Sequence, residues 1–201
     1  MFFLSLALFA QSATLDTDTG KAAGQCNRAL AADMGTARLA TLRGFAQVTY
    51  LGMSVAKAEG VKDNFSKRTF EMLFDARDAA AKAPKPTPAL LAECDSRFPL
   101  ARSTAPVELP RDALDRDLTC VGALSFLVAG AESWGREKTA VRAEYQPYFD
   151  GLTARISKNP RTNAALGEQE SFAGAVNNAL RISLDTGNLE TVLLSCSKLP
   201  T

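Results

Sequence analysis

The 201-residue chain has no histidine and only one tryptophan. Without an imidazole it has no Ser-His or Cys-His nucleophilic pair, no imidazole zinc site and no general base that ordinarily titrates near neutrality. A charge excess of either sign is also missing. The 23 Lys and Arg residues nearly cancel the 22 Asp and Glu residues, for a net charge of +1. No surplus positive field is left to hold a phosphate backbone, so nucleic acid is not an expected partner. No segment sustains period-two alternation, which argues against strands. Beyond the first ten residues, no apolar run approaches the roughly 20 needed to span a bilayer.

The chain does have 46% hydrophobic residues and four cysteines, Cys26, Cys94, Cys120 and Cys196. Residues 1–10, MFFLSLALFA, are followed by small and polar residues. This reads as the apolar part of a secretory signal, and residues 1–13 are expected to be a signal peptide cut after Ser12 or Ala13, although the usual basic start is absent. The mature protein is then expected to be periplasmic or secreted, with no stable membrane span.

Past that leader the chain reads as two versions of one plan. Each half opens with a Cys in an amphipathic helix, passes an aromatic-x-Gly step (Tyr50-Leu51-Gly52; Phe149-Asp150-Gly151) and closes with a Leu-rich helix. That last helix carries the second Cys just before Phe98-Pro99 or Leu199-Pro200. The expected fold is all-α: two consecutive helical bundles of about four helices each, over 14–99 and 112–201, joined by a Pro-containing linker at 100–111.

The periodicity carries the helix assignments. Ala22, Cys26, Leu30 and Met34 form one stripe, and Leu39, Leu42, Ala46, Tyr50 and Met53 a second. Asp63 or Asn64 is expected to cap a third helix, Thr87-Pro88 to open a fourth, Asp112 to cap the next and Asn188 the last. Pro147 falls inside the Val141–Ile156 stripe and predicts a kink. Gly52 and Gly151 read as helix-packing positions, because glycine in mid-helix costs about 1 kcal/mol relative to Ala unless a close crossing requires it.

Export makes the thiols disulfide candidates. Four cysteines allow three connectivities. If each half is a unit, the pairs are Cys26 with Cys94 and Cys120 with Cys196. The wide spacing excludes a compact Cys-x-x-Cys redox or zinc motif, and no metal site or cofactor is expected.

Several triplets and tetrads imitate catalytic sets. Asp-Thr-Gly occurs at Asp18-Thr19-Gly20 and Asp185-Thr186-Gly187, but an aspartic dyad needs both carboxylates in loops of β-rich lobes sharing one proton. Ser-x-x-Lys occurs at Ser54–Lys57 and Ser195–Lys198, without the partner motifs of penicillin-binding enzymes. Glu132, Glu137 and Glu144 are interleaved with Arg136, Lys138 and Arg142, while Glu168, Gln169 and Glu170 form a second polar group. Both read as solvated faces with i,i+4 pairs. Trp134 is either a half-exposed cap over the core or an interface anchor, and Tyr148 is a second candidate interface residue.

The early Cys, central aromatic-x-Gly and late Cys, twice over, resemble a group of secreted bacterial proteins built from two-cysteine helical domains. More distantly the plan looks like periplasmic helical chaperones and immunity proteins. The resemblance implies an architecture and carries no activity. The expected function is non-enzymatic binding of a protein partner, as inhibitor or stress holdase. The alternative is a small-molecule or lipid carrier with Phe65, Phe70, Phe74, Tyr145, Tyr148 and Phe149 lining a cavity. An enzyme is the weakest reading.

Overall fold

Side-chain caps set most of the helix starts. The computed structural model describes residues 14–62, 64–131, 136–165 and 169–199. Asp18 accepts from the Lys21 amide at 2.9 Å and starts α1, Thr19–Leu39. Thr41 accepts from the Gly44 amide at 3.0 Å and starts α2, Leu42–Ala58. α3 covers Phe65–Lys82 from Asn64, whose side chain makes no capping bond; Asp63 lies outside the described residues. Thr87 caps α4, Pro88–Arg97, with proline at the first position where its missing N–H costs nothing. A 3₁₀ turn, Pro99–Arg102, follows. Asp112 receives the amides of Leu114 and Asp115 at 3.1 Å and opens α5, Ala113–Gly130. Then come α6 (Lys138–Lys158), α7 (Pro160–Ala165), α8 (Gln169–Ser183) and α9 (Leu189–Cys196), the last capped by Asn188. The described residues contain no strand, so the fold is all-α.

The helix breaks twice where the first stripe gives way to the second, once at Gly35, where the stripes divide in the sequence, and once beyond it. The stripe from Leu39 to Met53 reads as one helix, but the chain stops at Ala40 and restarts from Thr41, whose hydroxyl also donates to the Arg38 carbonyl at 2.7 Å. A threonine between two stripe positions acts as a cap because its side chain competes for backbone groups. Within α1, Gly35 takes φ 65°, a left-handed value that glycine adopts at little cost. α6 continues through Pro147.

Cys26 is bonded to Cys94 and Cys120 to Cys196, with Cα atoms 5.5 and 5.8 Å apart. Each bridge ties the opening helix of its half to the closing one. The order of contacts repeats, α1 meeting α2, α3 and α4, and α5 meeting α6, α8 and α9. The halves are not separate cores. One buried cluster runs from Leu15 to Cys196, and Phe126 of α5 sits at the seam, stacked on Phe70 of α3 at 4.4 Å and 6.4 Å from Phe45 of α2. The segment 100–111 lies against α9. Buried Asn188 donates its amide to the carbonyls of Leu100, Ala101 and Ser103 at 2.8–3.1 Å, and the Ser195 hydroxyl bonds both backbone groups of Val107. Among the described residues no helix is long and apolar enough to cross a membrane.

The two halves differ in how their second helix is covered. α2 is flanked by α3 as well as by the 3₁₀ turn and α9, so its sides are covered. α6 packs on α5 and on the short α7, and among the described residues no comparable contact joins it to α8 or α9. Among the described residues each of its flanks borders a groove.

Candidate functional site

α6 buries only Val141, Leu152 and Ile156 against the rest of the fold. At 3.6 residues per turn these three share one stripe. Tyr148, Gly151 and Arg155 fall on one flank of it, and Arg142, Gln146 and Thr153 on the other. A groove follows each flank.

The first groove runs between α6, α5 and α9. It holds a cavity of about 80 Å³ whose wall includes Leu124, Tyr145, Tyr148, Leu152 and Leu193, with Gly151, Arg155 and Cys196 also contributing. The Cys120–Cys196 bridge therefore fixes α9, one wall of the groove, to α5, its floor. The rings of Tyr145 and Tyr148 stand 6.3 Å apart and tilted by 46°, with Tyr145 half-buried and Tyr148 39% exposed at the mouth. Burial pushes the Tyr145 phenol above its ordinary value, and the neighbouring Glu144 carboxylate adds to the effect. The phenol therefore stays neutral over the physiological range and serves as a hydrogen-bonding group. Arg155 contributes to the wall, and its guanidinium donates to Asp117 of α5, with Nε 3.1 Å from Oδ2 and Nη2 3.2 Å from Oδ1. Asp117 is almost fully buried, and this fork compensates its charge.

The second groove lies between α5 and α6 on the opposite flank, with a volume of about 340 Å³. Val128, Ala129 and Phe149 supply apolar surface, and Lys138, Arg142, Ser125, Gln146, Asp150 and Thr153 the polar part. Gln146 donates to Asp150 at 2.8 Å.

The imitations of catalytic sets come apart. Asp18 is spent on capping α1, and Asp185, with a side chain 70% exposed, pairs with Lys57 at 2.6 Å. The two carboxylates share no hydrogen bond among the described residues, so no dyad forms. The Ser54 hydroxyl donates to the Tyr50 carbonyl, and that of Ser195 to the Val107 carbonyl, so neither serine hydroxyl is directed to its lysine. Glu144 pairs with Arg136 at 3.2 Å, and Glu137 accepts from the Thr139 hydroxyl at 2.6 Å. Glu132, Trp134 and Glu168 lie outside the described residues, as do the side chains of Gln169 and Glu170. No group of three potential metal ligands gathers among the described residues.

Of the two glycines expected at packing positions, Gly52 sits at the α2–α3 crossing, where an added Cβ would stand 3.1 Å from the Met72 Cβ. Gly151 is half-buried on the wall of the first groove. A close approach in the second half that sequence reasoning misses is Gly122 of α5, where an added Cβ would meet Leu180 at 3.0 Å and Val176 at 3.2 Å, both on α8. The six aromatics offered as a cavity lining do not form one. Phe65 is fully buried, Phe70 stacks on Phe126, Phe74 is exposed, and Tyr145 and Tyr148 face a different groove from Phe149.

Sequence reasoning also misses the second groove, because its cations read with Glu132, Glu137 and Glu144 as one solvated face. The i,i+4 spacing of Lys138, Arg142 and Gln146 is the available signal. Comparison with protein-family models, curated proteins and solved structures finds no match for this chain.

Proposed function

We propose that this is a non-enzymatic binding protein of an oxidising compartment, periplasmic or secreted, that holds a protein partner as an inhibitor or stress holdase. The observation that carries the reading is the aromatic cleft of α6. Tyr145 and Tyr148 stand on a rigid helix at the mouth of an apolar recess, with the opposite wall held by a disulfide. Aromatic anchors on a rigid support give large contact area at low entropic cost and recur at the centres of protein interfaces. The recess, about 80 Å³, is small beside the 300–1,000 Å³ of typical small-molecule pockets. It suits one inserted side chain better than a whole ligand. The two disulfides fit an exported protein, because such bonds persist outside the cytosol. Asp18 caps a helix, the Ser54 and Ser195 hydroxyls donate to backbone carbonyls, and Lys57 pairs with Asp185, so these members of the catalytic look-alikes are engaged elsewhere, which favours binding over catalysis.

The test is affinity capture of the tagged mature protein from its native compartment after brief cross-linking, beside a Tyr148→Asp variant. One stoichiometric partner, lost with Tyr148→Asp, supports an inhibitor or assembly role. Many clients appearing under heat or oxidative stress and lost in the same variant support a holdase. An identical protein set with wild type and variant would refute the cleft as the binding surface.

A further inference from the structure

We propose that α4 is a redox-releasable strap: reduction of the Cys26–Cys94 bridge by a dithiol frees it from α1, while the Cys120–Cys196 bridge and the remainder of the fold persist. The device does not rest on the partner reading of the α6 cleft, which lies in the other half.

The burial pattern singles out α4. Among the described residues from Ala80 to Arg97, Cys94 alone is buried, with Leu90 partly so. The approach to the helix, residues 83–87, contains Pro84 and Pro86 and is not helical. α4 itself has 10 residues, fewer than the roughly 12–15 that a helix needs to hold itself in water, so its order comes from tertiary contact. Apart from the bridge, its ties are polar and lie toward its C-terminal end. Glu93 accepts from the Leu15 amide at 3.1 Å, Arg97 donates to the carbonyls of Asp16 and Thr17, and Asp95 pairs with Arg102 at 2.7 Å. Such pairs each contribute little beside a covalent tie. Phe98, buried just beyond the helix, supplies a fixed hinge.

The second bridge is backed differently. Besides Cys196, α9 buries Leu189, Thr191, Val192, Leu193 and Ser195, and Asn188 and Ser195 fasten it to residues 100–107. With its sulfurs separated, α9 still stands beside α5 and returns Cys196 to Cys120. The outer cysteines are similarly exposed, Cys94 by 6% and Cys196 by 9%, so the difference lies in what survives the break. A fold that keeps two reduced thiols opposed favours the disulfide, and one that lets them part favours the thiols. After reduction Cys26 and Cys94 are linked only through a chain separation of 68 residues and the weak ties of α4.

The exchange runs through Cys94, because Cys26 is fully buried. A thiolate of the dithiol attacks the Cys94 sulfur and forms a mixed disulfide, while the Cys26–Cys94 bond breaks and Cys26 leaves as a thiolate. The reductant's second thiolate then attacks its own sulfur in that mixed disulfide, closes an internal disulfide and expels Cys94. The dithiol is oxidised, and its two protons end on Cys26 and Cys94. Residues 83–96 are then free between the end of α3 and Phe98. Their departure uncovers the strip of α1 about Cys26, whose neighbours one turn to either side are the buried Ala22 and Leu30.

Equilibration of the fully oxidised protein at graded ratios of reduced to oxidised dithiothreitol, followed by acid quench, alkylation and peptide mapping, tests the proposal. Cys26 and Cys94 should become reduced at a ratio at least about tenfold lower than Cys120 and Cys196. In the half-reduced protein the α4 amides should exchange at least about tenfold faster, while those of α2, α3, α5 and α9 keep their protection. Cys26→Ala/Cys94→Ala should show the same local loosening and still melt cooperatively, whereas Cys120→Ala/Cys196→Ala should leave α9 protected. The proposal is overturned if Cys120–Cys196 is reduced first or together with Cys26–Cys94, if α4 stays protected once its bridge is gone, or if the Cys26→Ala/Cys94→Ala variant unfolds as a whole. Loss of protection in α9 when its own bridge is removed would overturn it equally. Tyr148→Asp should titrate as wild type does, so failure of the cleft reading and failure of this one remain distinguishable.

Discussion

Asn188 ties the segment 100–103 to the start of α9, and its contribution can be divided by substitution. Its side-chain oxygen caps α9 through the Thr191 amide, while its nitrogen donates to the carbonyls of Leu100, Ala101 and Ser103, with the side chain 2% exposed. Removing the cap costs about 1 kcal/mol. Of the three carbonyls, the bond to Ala101 is fully buried and the others are partly so. Water can therefore rescue Leu100 and Ser103, while Ala101 is left with a desolvated acceptor, a loss of about 2 kcal/mol. Asn188→Ala should thus destabilise by about 3 kcal/mol, or roughly 6–12 °C in Tm for a domain of this size. Asn188→Ser keeps a good cap but cannot reach the carbonyls, and should lose about 2 kcal/mol. Asn188→Asp keeps the cap but turns a carboxylate toward carbonyl oxygens, and at neutral pH it should be the least stable of the three. Thermal and urea unfolding of the disulfide-intact proteins would read the series, and hydrogen exchange would locate the loosened segment at 100–111. A serine variant as stable as wild type, or an aspartate variant more stable than the alanine one, would refute the division into cap and clamp.

Other perturbations test neighbouring contacts. Gly130→Ala would place a Cβ 2.5 Å from the Phe45 ring at the seam and should cost about 1–3 kcal/mol, whereas Gly174→Ala, with nothing within 4 Å, should gain up to about 1 kcal/mol; equal melting temperatures would contradict both. Arg155→Met leaves Asp117 buried with only Arg116 nearby at 3.7 Å, and should destabilise by about 2 kcal/mol, less than a fully buried break because Arg155 is 29% exposed. Adding Asp117→Leu to it should recover at least half, and a double mutant no more stable than the single would show that the pair is not coupled. The Arg68 guanidinium holds the Glu59 carboxyl below its ordinary value. The stability from this pair is present above the unfolded value of about pH 4.3 and is lost as pH falls through the lower folded value. Tm should therefore fall on acidification, with a shallower acid limb in Glu59→Gln; superimposable profiles would count against the assignment.

What the sequence determined on its own is local. Thr87, Asp112 and Asn188 announce helix starts because a cap acts within three residues of itself, and the apolar stripes follow from a 3.6-residue turn, whereas the cap at Asp18 went unread. The all-α class was legible for that reason, and so was the pairing Cys26–Cys94 and Cys120–Cys196, once each half was read as a unit. The sequence could not show which flank of a helix is left uncovered, because that depends on elements far apart in the chain. α2 and α6 hold matching places in the two halves, yet α3 covers a flank of α2 and no helix among the described residues does the same for α6. Lys138 and Arg142 look like ordinary surface positions until α5 is set beside them, and Tyr145 and Tyr148 are legible as candidate contact residues but not as the wall of a groove closed by α9. The wedge of Phe126, the glycine contact at Gly122 and the second role of Asn188 likewise join residues separated by long stretches of chain. Their energies come from burial, and only the folded structure decides what is buried.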